Sequence, residues 1–441
     1  MTPRKPASCV LLLGLCGAVA AAADGDEEAT TARVQSTYVW QNKRPFPARY
    51  GGPNSLSPAE EISYTFTATA FLGLRPWKNG ELYLTPELSQ GVAMSNLTGL
   101  GGFPNGEANR AAGSHPKLYR QKLFLRQTWN EDGETVAIEG GQNQLAGKAS
   151  ENRWVLTLGN FSVLDVFDGN RYAKDPRSQF FNWSAMTYAA YDYAADARGY
   201  GWGFALERHW RDWSLRLGRM SGPVAPNALP VDLALGKHYG DQIELERRYD
   251  WNGKPGAWRV LAWRNRAVLG RYDDALAALR ANPGGNPQTI VAVRGPERIK
   301  YGLGVNLEQE FSPGLGGFVR AMKADGRTET YAFTEVDQSL ALGVAAKCRH
   351  WGRAQGTLGL AWMRNGLSRQ RRAYLAAGGI SYFIGDGALA YRPETIAEIY
   401  YNWNVARGFW VSFDWQRIRN PAYNADRGPV SIGSVRLHLE F

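Results

Sequence analysis

Arginine and carboxylate side chains recur at positions that an extended chain would place on one face. Arg75 follows the apolar alternation Ile62 to Leu74, so it points away from that set. Glu81, Tyr83 and Glu87 alternate with Leu82, Leu84 and Leu88. Lys122 and Arg126 oppose Leu123 and Leu125, and Glu139 opposes Val136 and Ile138. A guanidinium only donates hydrogen bonds and a carboxylate only accepts them, whereas a sugar hydroxyl does both, so the two together suit a sugar. Aromatic rings carried on loops, such as Phe103, Phe180 and Trp183, would stack on a sugar face. The plainer alternative is a solvated interior whose charges merely balance.

Other chemistries find less support. The five histidines, His115, His209, His238, His350 and His438, fall in no nucleophile elbow, HExxH or paired-cysteine context. Gly199-x-Gly201-x-Gly203 lacks the strand–loop–helix setting of a nucleotide loop and reads as glycine within a strand. Asp165 to Asn170 resembles a calcium loop only loosely, without its ligand spacing. No metal or cofactor is expected, and the chain is not read as an enzyme. Asn96-Leu97-Thr98 and Asn182-Trp183-Ser184 match a glycosylation pattern that arises often by chance. Cys9 and Cys16 lie in the N-terminal segment, which leaves Cys348 alone and no intrachain disulfide.

The elements that must position these residues are strands. Val435, Leu437, Leu439 and Phe441 oppose Ser434, Arg436, His438 and Glu440. Similar alternation recurs at Ile243–Leu245, at Tyr301–Leu307, and at Phe409–Trp415 against Ser412, Asp414 and Gln416. Strands with one apolar and one polar face, ending on Phe441, suit a barrel with lipid outside and water within. A secreted lectin-like sandwich would alternate too, with fewer strands. The 441 residues contain 12% aromatics and 50 glycines. Mean hydropathy is −0.39, and no internal run approaches the roughly 18 apolar residues of a membrane helix. The low hydropathy still allows a barrel, because only alternate residues need be apolar. Formal charge is +10. The cations are dispersed among acids with no basic run, which argues against nucleic acid.

Connectors divide into tight turns, such as 78–80, 131–133, 251–255 and 406–408, and long loops, such as 42–61, 89–119, 220–237, 268–297 and 365–393. The two kinds alternate, as short periplasmic turns and long extracellular loops do in outer-membrane barrels. About 17 strands are counted, and the parity breaks at Ser162 to Ala197, where Ala185 to Tyr193 is a candidate extra strand. Tyr272, Ala275, Leu276 and Leu279 have helical spacing and predict a short loop helix. Residues 1–23 read as a signal peptide with Arg4 and Lys5, an apolar core and Ala21-Ala22-Ala23. Residues 24–32 read as a loose polar N-terminus, and residues 33–441 as one barrel.

From Thr37 to Phe441 the chain resembles the carbohydrate-selective porin (OprB-like) family. The resemblance is carried by Tyr50-Gly51-Gly52-Pro53-Asn54-Ser55-Leu56, by Gly101 to Glu107, and by Leu123-Phe124-Leu125-Arg126-Gln127. Further blocks are Asp165 to Asp168, Asp175-Pro176-Arg177 and Phe181-Asn182-Trp183. The best are Phe383 to Gly387 with Tyr391 to Glu394, and Asn420 to Asn424 with Asp426 to Pro429. The resemblance implies a Gram-negative outer-membrane barrel of about 16 strands, against 17 or 18 counted directly, so 16–18 strands are expected. It implies passive diffusion of mono- or oligosaccharides through a narrowing formed by inward loops. The expected constriction is Arg75, Glu87, Arg126 and Glu139, with Phe103 and Glu107 of the Gly101–Glu107 loop. A general or anion-leaning porin is the alternative. Expected partners are sugars, outer-membrane lipid and lipopolysaccharide, with the barrel a monomer or homo-oligomer.

Overall fold

The computed structural model describes residues 27–108, 113–281, 290–332, 334–349 and 352–441. The segment read as a signal peptide lies outside them. Sixteen antiparallel strands close into one barrel. They are β1 (Thr30–Lys43), β2 (Glu61–Trp77), β3 (Gly80–Val92), β4 (Gly113–Asn130), β7 (Arg153–Phe161), β8 (Gly201–Trp210), β9 (Trp213–Met220) and β10 (Tyr239–Trp251). The rest are β11 (Lys254–Val268), β12 (Glu297–Ser312), β13 (Leu315–Ala324), β14 (Gln338–Cys348), β15 (Arg353–Gly366), β16 (Glu394–Ala406), β17 (Phe409–Arg419) and β18 (Val430–Glu440). Two short strands, β5 (Thr135–Ile138) and β6 (Gly147–Ser150), form a separate hairpin.

Two solvents dictate the wall. Along β2, Ser63, Thr65, Thr67 and Thr69 are buried inward, while Ile62, Leu72 and Leu74 are exposed outward. The same holds for Leu303, Val305 and Leu307 on β12 and for Phe413 and Trp415 on β17, all exposed. So wide an exposed apolar band is stable only against lipid. Closure falls to the first and last strands, where Val39 pairs with Arg436 and Trp40 with Val435. Phe441 and Val34 exchange backbone hydrogen bonds at 2.9 and 3.0 Å, so the final residue completes the ladder.

The start of β1 and the end of β18 lie at one rim, called here the terminal rim. Most connections there are tight. The turn between β10 and β11 places Asn252 (φ 52°) and Gly253 (φ 69°) in left-handed conformation, as a two-residue hairpin of this twist requires. The opposite rim carries the long loops, including 325–337 and 420–429, which the sequence reading did not single out. The predicted loop helix is present as α2 (Tyr272–Ala281), packed through Tyr272 against Tyr374.

Three sequence expectations are corrected. The tight turn at 131–133 is instead an insertion, 131–152, that folds into the β5–β6 hairpin, and its Gln142 reaches Gln35 and Glu440 across the mouth. The barrel therefore has 16 strands, not 17 or 18. Residues 185–193 form no strand; they belong to a connection, 162–200, packed inside the barrel. Its α-helical turn, α1 (Trp183–Met186), is capped by the Asn182 side chain. β1 begins at Thr30, ahead of the expected start near Arg33, and Glu28 just before it pairs with Arg33.

The interior connection is tied to the wall by charge. Arg320 of β13 pairs with Asp168 at 2.9 Å and donates to the carbonyls of Ala173 and Ala185. Arg436 of β18 donates to the carbonyls of Pro176 and Gln179. Glu244 and Glu398 accept from the backbone N–H groups of Asp168 and Phe181. Buried backbone polar groups demand such partners. Around Phe103, Trp183, Tyr191 and Trp263 an apolar cluster packs the interior connection against the inner wall.

Candidate pore lining

Inward-facing charge falls into two kinds of environment. The first is sealed. Arg177, on the interior connection, donates to Glu87 at 2.8 Å and to Glu107 at 2.7 Å. All three side chains are almost completely buried. Thr69 and Gln121 donate to the same Glu87 carboxylate, and Thr67 donates to Glu107. Glu87 thus faces inward as the alternation requires, yet the connection covers it.

The second is open. Near the terminal rim, Arg75 and Arg126 share Glu81 at 3.2 and 3.5 Å and line a cavity of about 270 Å³ with Arg153 and Glu207. The Arg126 guanidinium also lies over the Tyr83 and Phe124 rings, at 5.3 and 5.5 Å, which fixes its plane. From there a ladder of mostly buried ion pairs runs along the wall. Arg216 bridges Glu207, Glu244 and Glu246, and Arg259 bridges Glu246 and Glu308. The ladder leads to Arg171 and Glu310, 3.2 Å apart, where the arginine side chain is 56% exposed.

Arg171 and Glu310 open onto a second cavity of about 530 Å³, bounded also by Tyr172, Gln179, Lys347, Trp410, His438 and Glu440. Trp410 occupies the inward face of β17 with Ser412 and Asp414. Its ring lies 5.8 Å from that of His438, centroid to centroid. His438 is held by Thr37 Oγ1 at 2.8 Å and Glu440 Oε1 at 2.9 Å. The cavity therefore combines an aromatic face, fixed donors and fixed acceptors.

Between the two regions, Lys174 turns its ammonium inward to donate to the carbonyls of Phe167 and Asp168. Burial pulls its pKa down to about 8, against a smaller upward pull from Asp168.

A sequence model of the carbohydrate-selective porin, OprB family, matches residues 54–441. The chain belongs to that family. It is an outer-membrane β-barrel porin, and it passes sugars by diffusion. Among solved structures, the high-pH form of Pseudomonas putida OprB superposes with a TM-score of 0.68 at 15% identity, covering 94% of each chain. The outer-membrane channel DcaP of Acinetobacter baumannii superposes with a TM-score of 0.52 at 9% identity, covering 95% of this chain and 99% of that one. At such identities these likenesses speak to the fold alone. No protein of curated function matches the chain in sequence.

In this porin the six expected constriction residues separate. Arg75 and Arg126 come together at the smaller cavity. Glu87 and Glu107 meet in the sealed Arg177 cluster. Phe103 is 3% exposed and packs edge-on against Trp183 and Phe383, so its ring is not presented to a solute. Phe180 and Trp183 are buried likewise. Glu139 is exposed just after β5, off the barrel wall, because alternation within the hairpin mimics that of a spanning strand. Trp410 is not among the six, although an aromatic sharing a polar strand face with Ser412 and Asp414 is a signal readable in the sequence. Arg177 stood within the family block Asp175-Pro176-Arg177.

Proposed function

We propose that mono- or oligosaccharides leave the barrel through the cavity walled by Trp410, Arg171, Glu310, His438 and Glu440, with Arg75 and Arg126 lining a second wet region. The carrying observation is the inward Trp410 beside paired donors and acceptors, which offers a sugar both a stacking face and hydroxyl partners. Glu87, Glu107, Phe103 and Glu139 are not assigned contact with the solute; the first three hold the interior connection. The chain acts as a channel and catalyses no step. The loop rim faces the cell exterior in a Gram-negative outer membrane, surrounded by lipopolysaccharide, and the terminal rim faces the periplasm after removal of a signal peptide. The barrel works as a monomer or a homo-oligomer. Planar-bilayer recording with a panel of sugars tests the reading. Sugar should reduce the ion current of the native channel, and a current indifferent to every sugar would overturn it.

A second reading, general or anion-leaning diffusion, is favoured by the exposed Arg171 side chain and the net positive charge. Reversal potentials in a salt gradient separate the two: marked anion preference without sugar block supports the second.

A further inference from the structure

The outer face of the barrel carries a recess that the pore does not use. Between β8 and β13 a cavity of about 1150 Å³ opens toward lipid. Its floor is Ala262, which pairs in register with Ile243 on one side and Leu303 on the other. Leu217, paired with Ile243, extends the apolar row. A methyl between larger side chains leaves a notch the width of a hydrocarbon chain.

One row nearer the loop rim the chemistry changes. Arg219, Asp241, Arg264 and Tyr301 are successive register partners. Arg219 approaches Asp241 at 2.7 Å and Arg264 approaches it at 3.0 Å. One carboxylate therefore meets two guanidinium groups. Lys323 and Arg327, also on the margin, are exposed and form no ion pair among the described residues. Asp325 is the remaining acid on the lining, so four cations face two acids. The Arg219 guanidinium lies 3.8 Å over the Tyr239 ring, an amphipathic aromatic at the edge of the apolar band, where headgroups sit.

We propose that this recess binds a membrane lipid with a phosphate-bearing headgroup: an acyl chain over Ala262 and the phosphate against Arg264, Arg219 and Lys323. The proposal rests on the orientation given above, which makes bisphosphorylated lipid A the occupant. The excess of positive charge beside an apolar notch selects that occupant over a second copy of the chain, whose wall would leave the cations unpaired.

The test titrates the full barrel in detergent with bisphosphorylated lipid A, read by native mass spectrometry. Wild type should retain the lipid. The double variant Arg264→Gln, Lys323→Gln keeps the Arg219–Asp241 pair and should bind about tenfold or more weakly. Ala262→Phe fills the notch without altering charge and should weaken binding as well. Equal binding by both variants, equal binding of dephosphorylated lipid A, or a lipid-independent dimer abolished by Ala262→Phe would overturn the proposal. Sugar block, measured on the same wild-type preparation in bilayers, reads the lumen alone, so failure of the transport reading is scored separately.

Discussion

The Arg177 cluster and the Trp410 cavity lie on the same inward face and use the same residue types, yet they do opposite work. Arg177 is 6% exposed and saturated by two carboxylates that are themselves buried. Arg171, six positions earlier on the same connection, is 56% exposed and pairs with one partly exposed carboxylate, Glu310. Facing inward therefore does not make a residue pore-lining. The path of the interior connection decides which charges become structural ties and which remain available to a solute. In a dry cluster, ion pairs are strong only as complete sets; in a wet one they exchange readily.

The largest test breaks the sealed side. Arg177→Met leaves Glu87 and Glu107 buried without their cation. Removing one partner of a buried pair costs about 3–5 kcal/mol. A clear fall in the thermal unfolding midpoint in detergent is expected, with a larger or noisier single-channel conductance as the connection loosens. An unchanged midpoint would show that water already reaches the cluster.

The wall of the barrel was legible because lipid and water impose period two on each spanning strand. Arg75, Glu87 and Arg126 face inward as the alternation required, and the last strand closes the ladder. Two things escaped that logic. Period two cannot distinguish a spanning strand from the β5–β6 hairpin, so Glu139 was placed on the wall. The connection 162–200 has no period, and its ties span long separations: Arg177 meets Glu87 ninety residues away, and Arg320 meets Asp168 at 152. Nothing local in the sequence encodes such pairings. Phe103 and Trp183 looked like loop aromatics for the same reason; their burial depends on where distant loops fold.

Lys174 sharpens the comparison from between the two regions. Unlike Arg177, it meets carbonyls rather than a matched pair of acids. Its pKa is about 8 in the folded protein against 10.5 ordinarily. Between those values the unfolded chain binds more protons than the folded one, so stability contributed by this group rises with pH from about 8 to 10.5 and is lowest below 8. Comparing thermal unfolding of wild type and Lys174→Met across that window should show a shallower rise in the variant. Parallel curves would mean that the ammonium is solvated.

On the open side, Trp410→Ala removes the aromatic face while sparing the ion pairs. An aromatic contact of this kind is worth about 0.5–1.5 kcal/mol, so sugar block should weaken several-fold with little change in the unfolding midpoint. The opposite pattern, a lower midpoint with sugar block intact, would move Trp410 from the open region to the sealed one.

The smallest effect should come from Arg171→Glu, and its smallness is informative. The side chain is mostly exposed, so solvent and salt screen it, and losing its pair with Glu310 should cost at most about 1 kcal/mol. The unfolding midpoint should stay nearly constant. The reversal potential in a salt gradient should instead move toward cation preference, because one lumenal positive charge becomes negative beside Glu310 and Glu440. The shift should shrink as salt rises, since the Debye length falls from about 10 Å at 0.1 M to about 3 Å at 1 M. A shift that persists at high salt would place Arg171 within direct contact of the permeating ion. A large loss of stability would mean that Arg171, like Arg177, ties the connection to the wall, and the division between the two regions would fail at that residue.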